Sequence, residues 1–321
     1  RRLGLTPSQE ELEAALAWEA GDRVPGRPAM TEFRRRLRLH QSRWREAHGH
    51  PPGTQPIAPK AGQAARLVGS RLARQTARLF GSRLPLAYAQ DTAANFVRPA
   101  AVDAARRRAT TPEPHQTFDH QRLWADLLWS PSMAVNLFAD ADHDAVHRWF
   151  PDAPGEVVDV RFAHSPGRWD PTYLNSLRTF DCAMFLGGAV VGIAIRYHEW
   201  AKPEIPRPEN LSRYLEVAAR SGAFRRGALD DVGGRWALTE LWLEHLLLLS
   251  MLQHESGRWT WGRYVVVRPA GNVDIADACE QYRRLLVDDS TFAEVTVEQL
   301  LDAGALPPAT TATLRTRYLP D

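Results

Sequence analysis

The sequence predicts an α/β protein: a mixed sheet flanked by helices, preceded by a mainly helical N-terminal region. Three observations carry that prediction. Apolar, β-branched runs occupy 156–164, 179–186 and 189–199, with Gly187 and Gly188 between the last two. This is the pattern of a strand meander closed by a two-residue hairpin. A fourth run, "GRYVVVRP", sits between segments of helical periodicity, so it rejoins the sheet from across a helix. Before about residue 114, helical spacing dominates and strand alternation is lacking. The chain therefore divides into a basic helical region, 1–114, and an α/β region, 115–321.

In chain order, "TPSQEELEAALAWEA" opens on a capping pattern, with Thr6 or Ser8 ahead of an acidic first turn. "MTEFRRRLRLHQSRWREAHG" is a second helix, with Phe33, Leu37 and Trp44 along one side and arginines around the rest. Gly49 and "HPPGTQPIAP" end it. Helical spacing resumes at 61–80 and 100–109. "FDHQRLWADLLWSPSMAVNLFAD" reads as a buried helix followed by a packed apolar turn. After the three-strand meander come helices in "ENLSRYLEVAARS" and "WALTELWLEHLLLLSMLQH", the second apolar enough to require packing across a sheet. The fourth strand, a helix in "DIADACEQYRRLLV" and a last short helix in "TVEQLLDAG" complete the pattern.

No apolar run reaches bilayer-spanning length; "LEHLLLLSMLQ" is interrupted by Glu244 and His245. No secretory leader is visible, and the two cysteines, Cys182 and Cys279, are too few for a cysteine-based zinc site. A cytoplasmic protein is expected. The formal charge of +2 hides an asymmetry. Through residue 125 there are 21 basic and 11 acidic residues, and beyond it 19 and 27. Nearly all the cations are arginines, Lys60 and Lys202 being the only lysines. A basic half joined to an acidic half suits a polyanion-facing arm on a catalytic or regulatory body, or, more simply, solvated helix faces.

The chemistry concentrates in "VVGIAIRYHEW". Along a strand, Val191, Ile193, Ile195 and Tyr197 point one way, and Gly192, Ala194, Arg196 and His198 the other. Asp181, near the start of the preceding strand, comes close to Ala194 and Arg196 across a tight hairpin. An acid on one strand facing an acid-x-base pair on the next is how a metal-dependent phosphodiesterase can be built. The carboxylates hold Mg²⁺, and a lysine steadies the attacking water.

The ordered blocks "FRRRLRLHQSRWRE", "GSRL", "NFV", "RLWADLL", "NLFAD", "FAHSPGR", "FDCAMF", "GIAIRYHE", "RYLEVAARSGAF" and "LLLLSMLQH" extend the comparison. On these the chain resembles the PD-(D/E)XK nuclease superfamily, and within it a bacterial family of restriction-type endonucleases. The resemblance runs from about Phe33 to the C-terminus. It implies a restriction-endonuclease-like sheet and Mg²⁺-dependent hydrolysis of DNA, with Mn²⁺ as a substitute. It further implies a role in bacterial defence and a homodimer, since cutting two strands needs two sites. Asp181 matches the family's metal ligand, and Tyr197, His198 and Glu199 match as well. Family members read Phe-Glu-His-Ser-Pro where this chain has Phe162-Ala163-His164-Ser165-Pro166, and Glu-x-Lys where it has Ala194-Ile195-Arg196. Alanine cannot ligate a metal, and arginine stays protonated and forked. The expectation is therefore a nuclease site with Ala163 and Ala194 at vacated acidic positions and Arg196 in place of lysine, inactive as written.

Asp181 could alternatively cap a strand end, and Arg196 could simply pair with Asp181 or Glu199. His198 and Glu199 could form a surface pair at the strand end. "HSPGR" is most simply a turn, though Arg168 could reach a nucleic-acid backbone. His245 fits a satisfied core histidine, and Trp236, Trp242, Trp259 and Trp261 fit packing. In the basic region Arg34, Arg35, Arg38 and Arg45 are the candidate DNA-phosphate contacts, with "ARRRA" at 105–109 second. The rival functions are a non-catalytic DNA-binding protein and an interaction subunit of a defence assembly. Salt-dependent DNA binding without metal separates them.

Overall fold

A computed structural model describes residues 6–54, 78–116, 118–230, 232, 234 and 236–320. Helix α1 (Gln9–Ala14) starts at Ser8, whose hydroxyl accepts from the Glu11 N–H at 3.1 Å. Helix α2 (Pro28–Ala47) begins on proline, which lacks the N–H that a helix start leaves unsatisfied. Two-residue strands β1 (Gly53–Thr54) and β2 (Leu79–Phe80) pair antiparallel. Helices α3 (Leu86–Thr92), α4 (Pro99–Thr110), α5 (His120–Ala125), α6 (Ser130–Phe138) and α7 (His143–Trp149) complete the first layer.

The meander follows as β3 (Val157–His164), β4 (Phe180–Leu186) and β5 (Ala189–Ile195). The β4–β5 turn is the expected Gly187-Gly188 pair, with Gly187 at φ +55° and Leu186 registered on Ala189. Helices α8 (Leu211–Ser221) and α9 (Thr239–Leu252) cross to β6 (Trp261–Arg268), which lies parallel to β5. Helix α10 (Val273–Arg283) then crosses to β7 (Phe292–Thr296), parallel to β6, and α11 (Val297–Asp302) and α12 (Pro308–Tyr318) end the chain. The sheet is mixed, five strands in the order β3-β4-β5-β6-β7.

Each sheet face buries its own core. Val191, Ile193 and Ile195 pack with Phe33, Leu37, Trp44, Phe138 and Tyr318. Val190 and Ala194 pack on the other face with Trp242, Leu246 and Tyr282. The alternation expected along β5 is present. Gly192 is required there, because a Cβ would lie 2.6 Å from the Phe180 ring. The first core joins α2 and α4 to β4 and β5, so the composition shift near residue 114 does not coincide with a break in the core.

Differences from the sequence expectation are local. The helix expected around 61–80 falls mostly outside the described residues, and its last two residues form β2. The segment 118–138 is two helices rather than a helix and a turn, separated where Asp126 bridges back to Arg83 and Pro131 restarts the helix. Strand β7 and helix α12 were not anticipated: "FAEVT" is short and mixed in polarity, and its neighbour β6 supplies the pairing. Strand β5 ends at Ile195 instead of Glu199. There the chain turns, and the Asn272 amide donates to the carbonyls of Arg196 and Glu199 at 3.0 and 2.9 Å.

Candidate functional site

The sheet forks between β4 and β5. Their ladder ends at Cys182↔Ile193, while β3 stays paired to β4 as far as His164↔Phe180 and β5 to β6 as far as Ile195↔Val267. Asp181 bridges the fork, its Oδ2 accepting from the Ile195 N–H at 2.7 Å. The fork opens into a cleft of about 270 Å³ lined by Asp181, Arg196 and Glu199, by Ser130 and Arg178, and by Glu240 and Glu244 of α9. The structure brings Asp181 and Arg196 together, the pair that the hairpin spacing placed side by side, and adds Glu199, which the spacing did not place there. Ala194 lies beside them with its methyl in the core.

Arg196 has neither of the partners offered by the bland reading of the sequence. Its guanidinium, 5 % exposed with the rest of the residue, donates to Glu244 and stands 3.5 Å from Glu240. Glu244 also accepts from the Tyr264 hydroxyl at 2.6 Å. Arg178 completes the network, 2.7 Å from Glu204 and 3.7 Å from Glu240. Glu199 accepts from the Ser130 hydroxyl at 2.8 Å. Sequence reading missed Glu240, Glu244, Ser130 and Arg178. The available signal was a pair of acids four residues apart on an otherwise apolar helix, which places both on one side, together with a strand arginine in need of a buried partner.

The environment sorts the acids. Burial pushes the Asp181 carboxyl up to about 7, against the pull of Arg196 and of the Ile195 N–H. Burial also raises Glu244, with Arg196 opposing. For Glu199, burial is outweighed by His198, Arg196 and the Ser130 hydroxyl, and its pKa is lowered. His198 does not share the Arg196 cleft: beyond the end of β5 it faces Glu199, Arg34, Asp126 and Arg38, and burial lowers its pKa.

Ala163 lies one strand over, between the pairs Phe162↔Cys182 and His164↔Phe180 and hence across from Asp181. Its φ is +47°, a left-handed conformation that costs a non-glycine residue about 1–3 kcal/mol. Two arginines hold it. Arg108 donates to the carbonyls of Phe162 (2.7 Å) and Ala163 (3.2 Å), and Arg168 to that of Ala163 (3.0 Å). Glu113 takes the remaining charge, accepting from His164 Nδ1 at 2.6 Å, the Ser165 N–H at 3.2 Å and Arg168. Burial pushes the Glu113 carboxyl up, and these donors more than reverse it, to about 2.

The arginines singled out for DNA have internal partners. Arg38 is bidentate on Asp22 at 2.6 and 2.8 Å, and Arg34 reaches Asp22 (3.5 Å) and the His198 carbonyl (3.3 Å). Arg45 donates to the Gly81 carbonyl at 2.9 Å, Arg35 lies 4.7 Å over the Trp18 ring, and Arg168 serves Glu113 and Ala163. Other basic side chains face outward. Arg106 and Arg107 are exposed, and the half-buried Arg36 and the exposed Arg43, itself ion-paired with Glu11, line a groove of about 450 Å³ with Trp44 and His48. His245 is a core histidine, bound by the hydroxyls of Tyr282 (3.0 Å) and Thr291 (2.9 Å) and pushed down to about 3 by burial. Trp242 and Trp259 are buried, and Trp236 and Trp261 pack against the cores.

The donor set does not fit a divalent cation. Among the described residues no three His, Cys, Asp or Glu side chains group to hold one. Asp181 is committed to a backbone N–H, Glu244 to Arg196 and Tyr264, and residues 163 and 194 carry methyl groups. Among the same residues no helix is long and apolar enough to cross a membrane. A family model, the PD-(D/E)XK nuclease superfamily, matches residues 28–320. Neither the curated proteins nor the solved structures gave a match.

Proposed function

The chain belongs to the PD-(D/E)XK nuclease superfamily, and from that premise we propose that it is a DNA-binding protein on a nuclease fold that leaves the phosphodiester bond uncut. The observation that carries this is the Arg196–Glu244 ion pair beside Asp181 and Ala194. Superfamily hydrolysis typically uses Mg²⁺ held by carboxylates next to a lysine. Here one ligand position is a methyl group, and the cation-bearing side chain is a buried guanidinium already bound to an acid. Arginine remains protonated at any pH the fold survives, so it cannot take a proton from water. DNA would be held by the exposed Arg106 and Arg107 on α4, with Arg36 and the Glu11-paired Arg43 on α2 as further candidates, through phosphate contacts that carry no sequence information.

One observation favours a second reading, an interaction subunit without affinity for nucleic acid: Arg34, Arg38, Arg45 and Arg168 serve internal partners. Duplex binding measured by fluorescence anisotropy in EDTA across a salt series separates the two. The proposal expects metal-independent binding whose log–log salt slope is about −0.9 per phosphate contacted. Absence of binding at low salt selects the second reading. Plasmid nicking in Mg²⁺ and in Mn²⁺ is expected to be absent for the natural chain and to appear with Ala163→Glu, Ala194→Glu and Arg196→Lys combined. Metal-dependent cutting by the natural chain would sink the proposal.

A further inference from the structure

We infer that this cleft supplies its own cation: the Arg196 guanidinium stands as the resident positive charge among Asp181, Glu240 and Glu244, in the role that a divalent ion would otherwise fill. The inference deepens the reading of a non-cutting chain and rests on it only in taking the natural chain to hold no metal.

Burying carboxylates without compensation is costly, and a cleft that lost its metal would be expected to lose its acids as well. This one keeps four: Asp181, Glu199, Glu240 and Glu244. The compensation is built into the chain. Ala194 on β5 and Arg196, the residue just past its end, are two apart and both meet α9, so the methyl at 194 leaves the guanidinium room to reach the helix. Glu240 and Glu244 lie one turn apart on α9 and both approach Arg196 Nη2. The Tyr264 hydroxyl donates to the same Glu244 Oε2 that Arg196 reaches and so helps to orient it, as an outer-shell donor orients a metal-bound carboxylate. The Arg196 Nε, buried within the cleft wall, has no hydrogen-bond partner among the described residues. A divalent ion entering the cleft meets this fixed positive charge, and the acids can converge on an ion only once it is gone.

Removing the charge at 196 should therefore open the site to a cation without any added carboxylate. Mn²⁺ is titrated into the full-length chain and free aqueous Mn²⁺ is followed by electron paramagnetic resonance. The natural chain is expected to show no stoichiometric binding. Arg196→Met is expected to take up one Mn²⁺ at least about tenfold more tightly, and to lose it when Glu244→Gln is added. Mn²⁺ should raise the melting temperature of Arg196→Met and leave that of the natural chain unchanged. If Arg196→Met is too unstable to titrate, adding Glu244→Gln should recover most of the lost melting temperature, since the acid most closely paired with Arg196 is then neutral. Equal Mn²⁺ binding by natural chain and variant, no binding by a folded variant, or no recovery in the double variant would each overturn the inference. Mn²⁺ uptake and DNA binding are read separately, so this inference and the proposed function can fail independently.

Discussion

Two arginine-centred sites flank β4, one at each position where the resemblance calls for a glutamate, and they are built on different principles. At Ala163, Arg108 and Arg168 donate mainly to backbone carbonyls, and a single acid, Glu113, balances charge while it also accepts from His164 and the Ser165 N–H. At Ala194, Arg196 meets carboxylates from one helix, and among the described residues the one carbonyl it reaches is that of Ile195, next to it in the chain. The first is a clamp on a left-handed backbone kink; several dipoles share the load, so losing one partner leaves others. The second is a charge balance in a buried place. There, a missing partner leaves an ion short of the charge that offsets its desolvation.

The largest effect should come from breaking the second site. Glu244→Ala is expected to cost about 3–5 kcal/mol, because it removes the nearest counter-charge of the buried Arg196 guanidinium and leaves Glu240, at 3.5 Å, in its place. A urea midpoint shift comparable to that of a surface substitution would contradict the charge-balance account. Glu113→Ala should cost less, about 2 kcal/mol, since Arg108 and Arg168 keep their carbonyl acceptors. If the two substitutions cost the same, the contrast between clamp and charge balance disappears.

Acid titration sharpens the same contrast. The Glu113 carboxyl is held at about 2 in the folded chain, below its ordinary value of 4.5. Its contribution is therefore present above pH 4.5 and is lost as pH falls from there toward 2. His245 is held at about 3, below its ordinary 6.5, because burial opposes its charge. The unfolded chain takes up that proton first, so stability begins to fall below pH 6.5. Glu113→Gln should flatten the stability curve below pH 4.5 and leave the limb beginning near 6.5 intact, as read by thermal melts across pH. The smallest effect is a gain. Ala163→Gly relieves a left-handed alanine, offset by the added freedom of the unfolded chain, for about 0.5–1 kcal/mol of net stabilisation. A loss there would mean that the Ala163 methyl is worth more than the strain of its backbone.

Much of the sheet could be read in the residues. The meander, its Gly187-Gly188 turn and the side alternation along β5 follow from local pattern, because each strand carries its own apolar period. Strand β7 was not legible: five residues of mixed polarity become a strand only when Tyr264 to Arg268 offer them a partner. The basic N-terminal region is only partly legible for a related reason. Its arginines look like a polyanion-binding face, yet Arg27 pairs with Asp274, Arg98 with Asp140 and Arg83 with Asp126. Part of the opposed charge of the two halves is thus spent holding them together.

What the sequence by itself determined is chemical identity along the chain. Residues 163 and 194 present methyl groups to any fold, and residue 196 presents a charge that does not titrate away. The β5 alternation puts Ala194 and Arg196 on one face whatever covers it. Only the tertiary structure decided what that face meets. Glu244 is 48 residues from Arg196 in sequence and Glu113 is 55 from Arg168. Partners that far apart are chosen by the packing of helices over a sheet, a collective property with no local period to betray it.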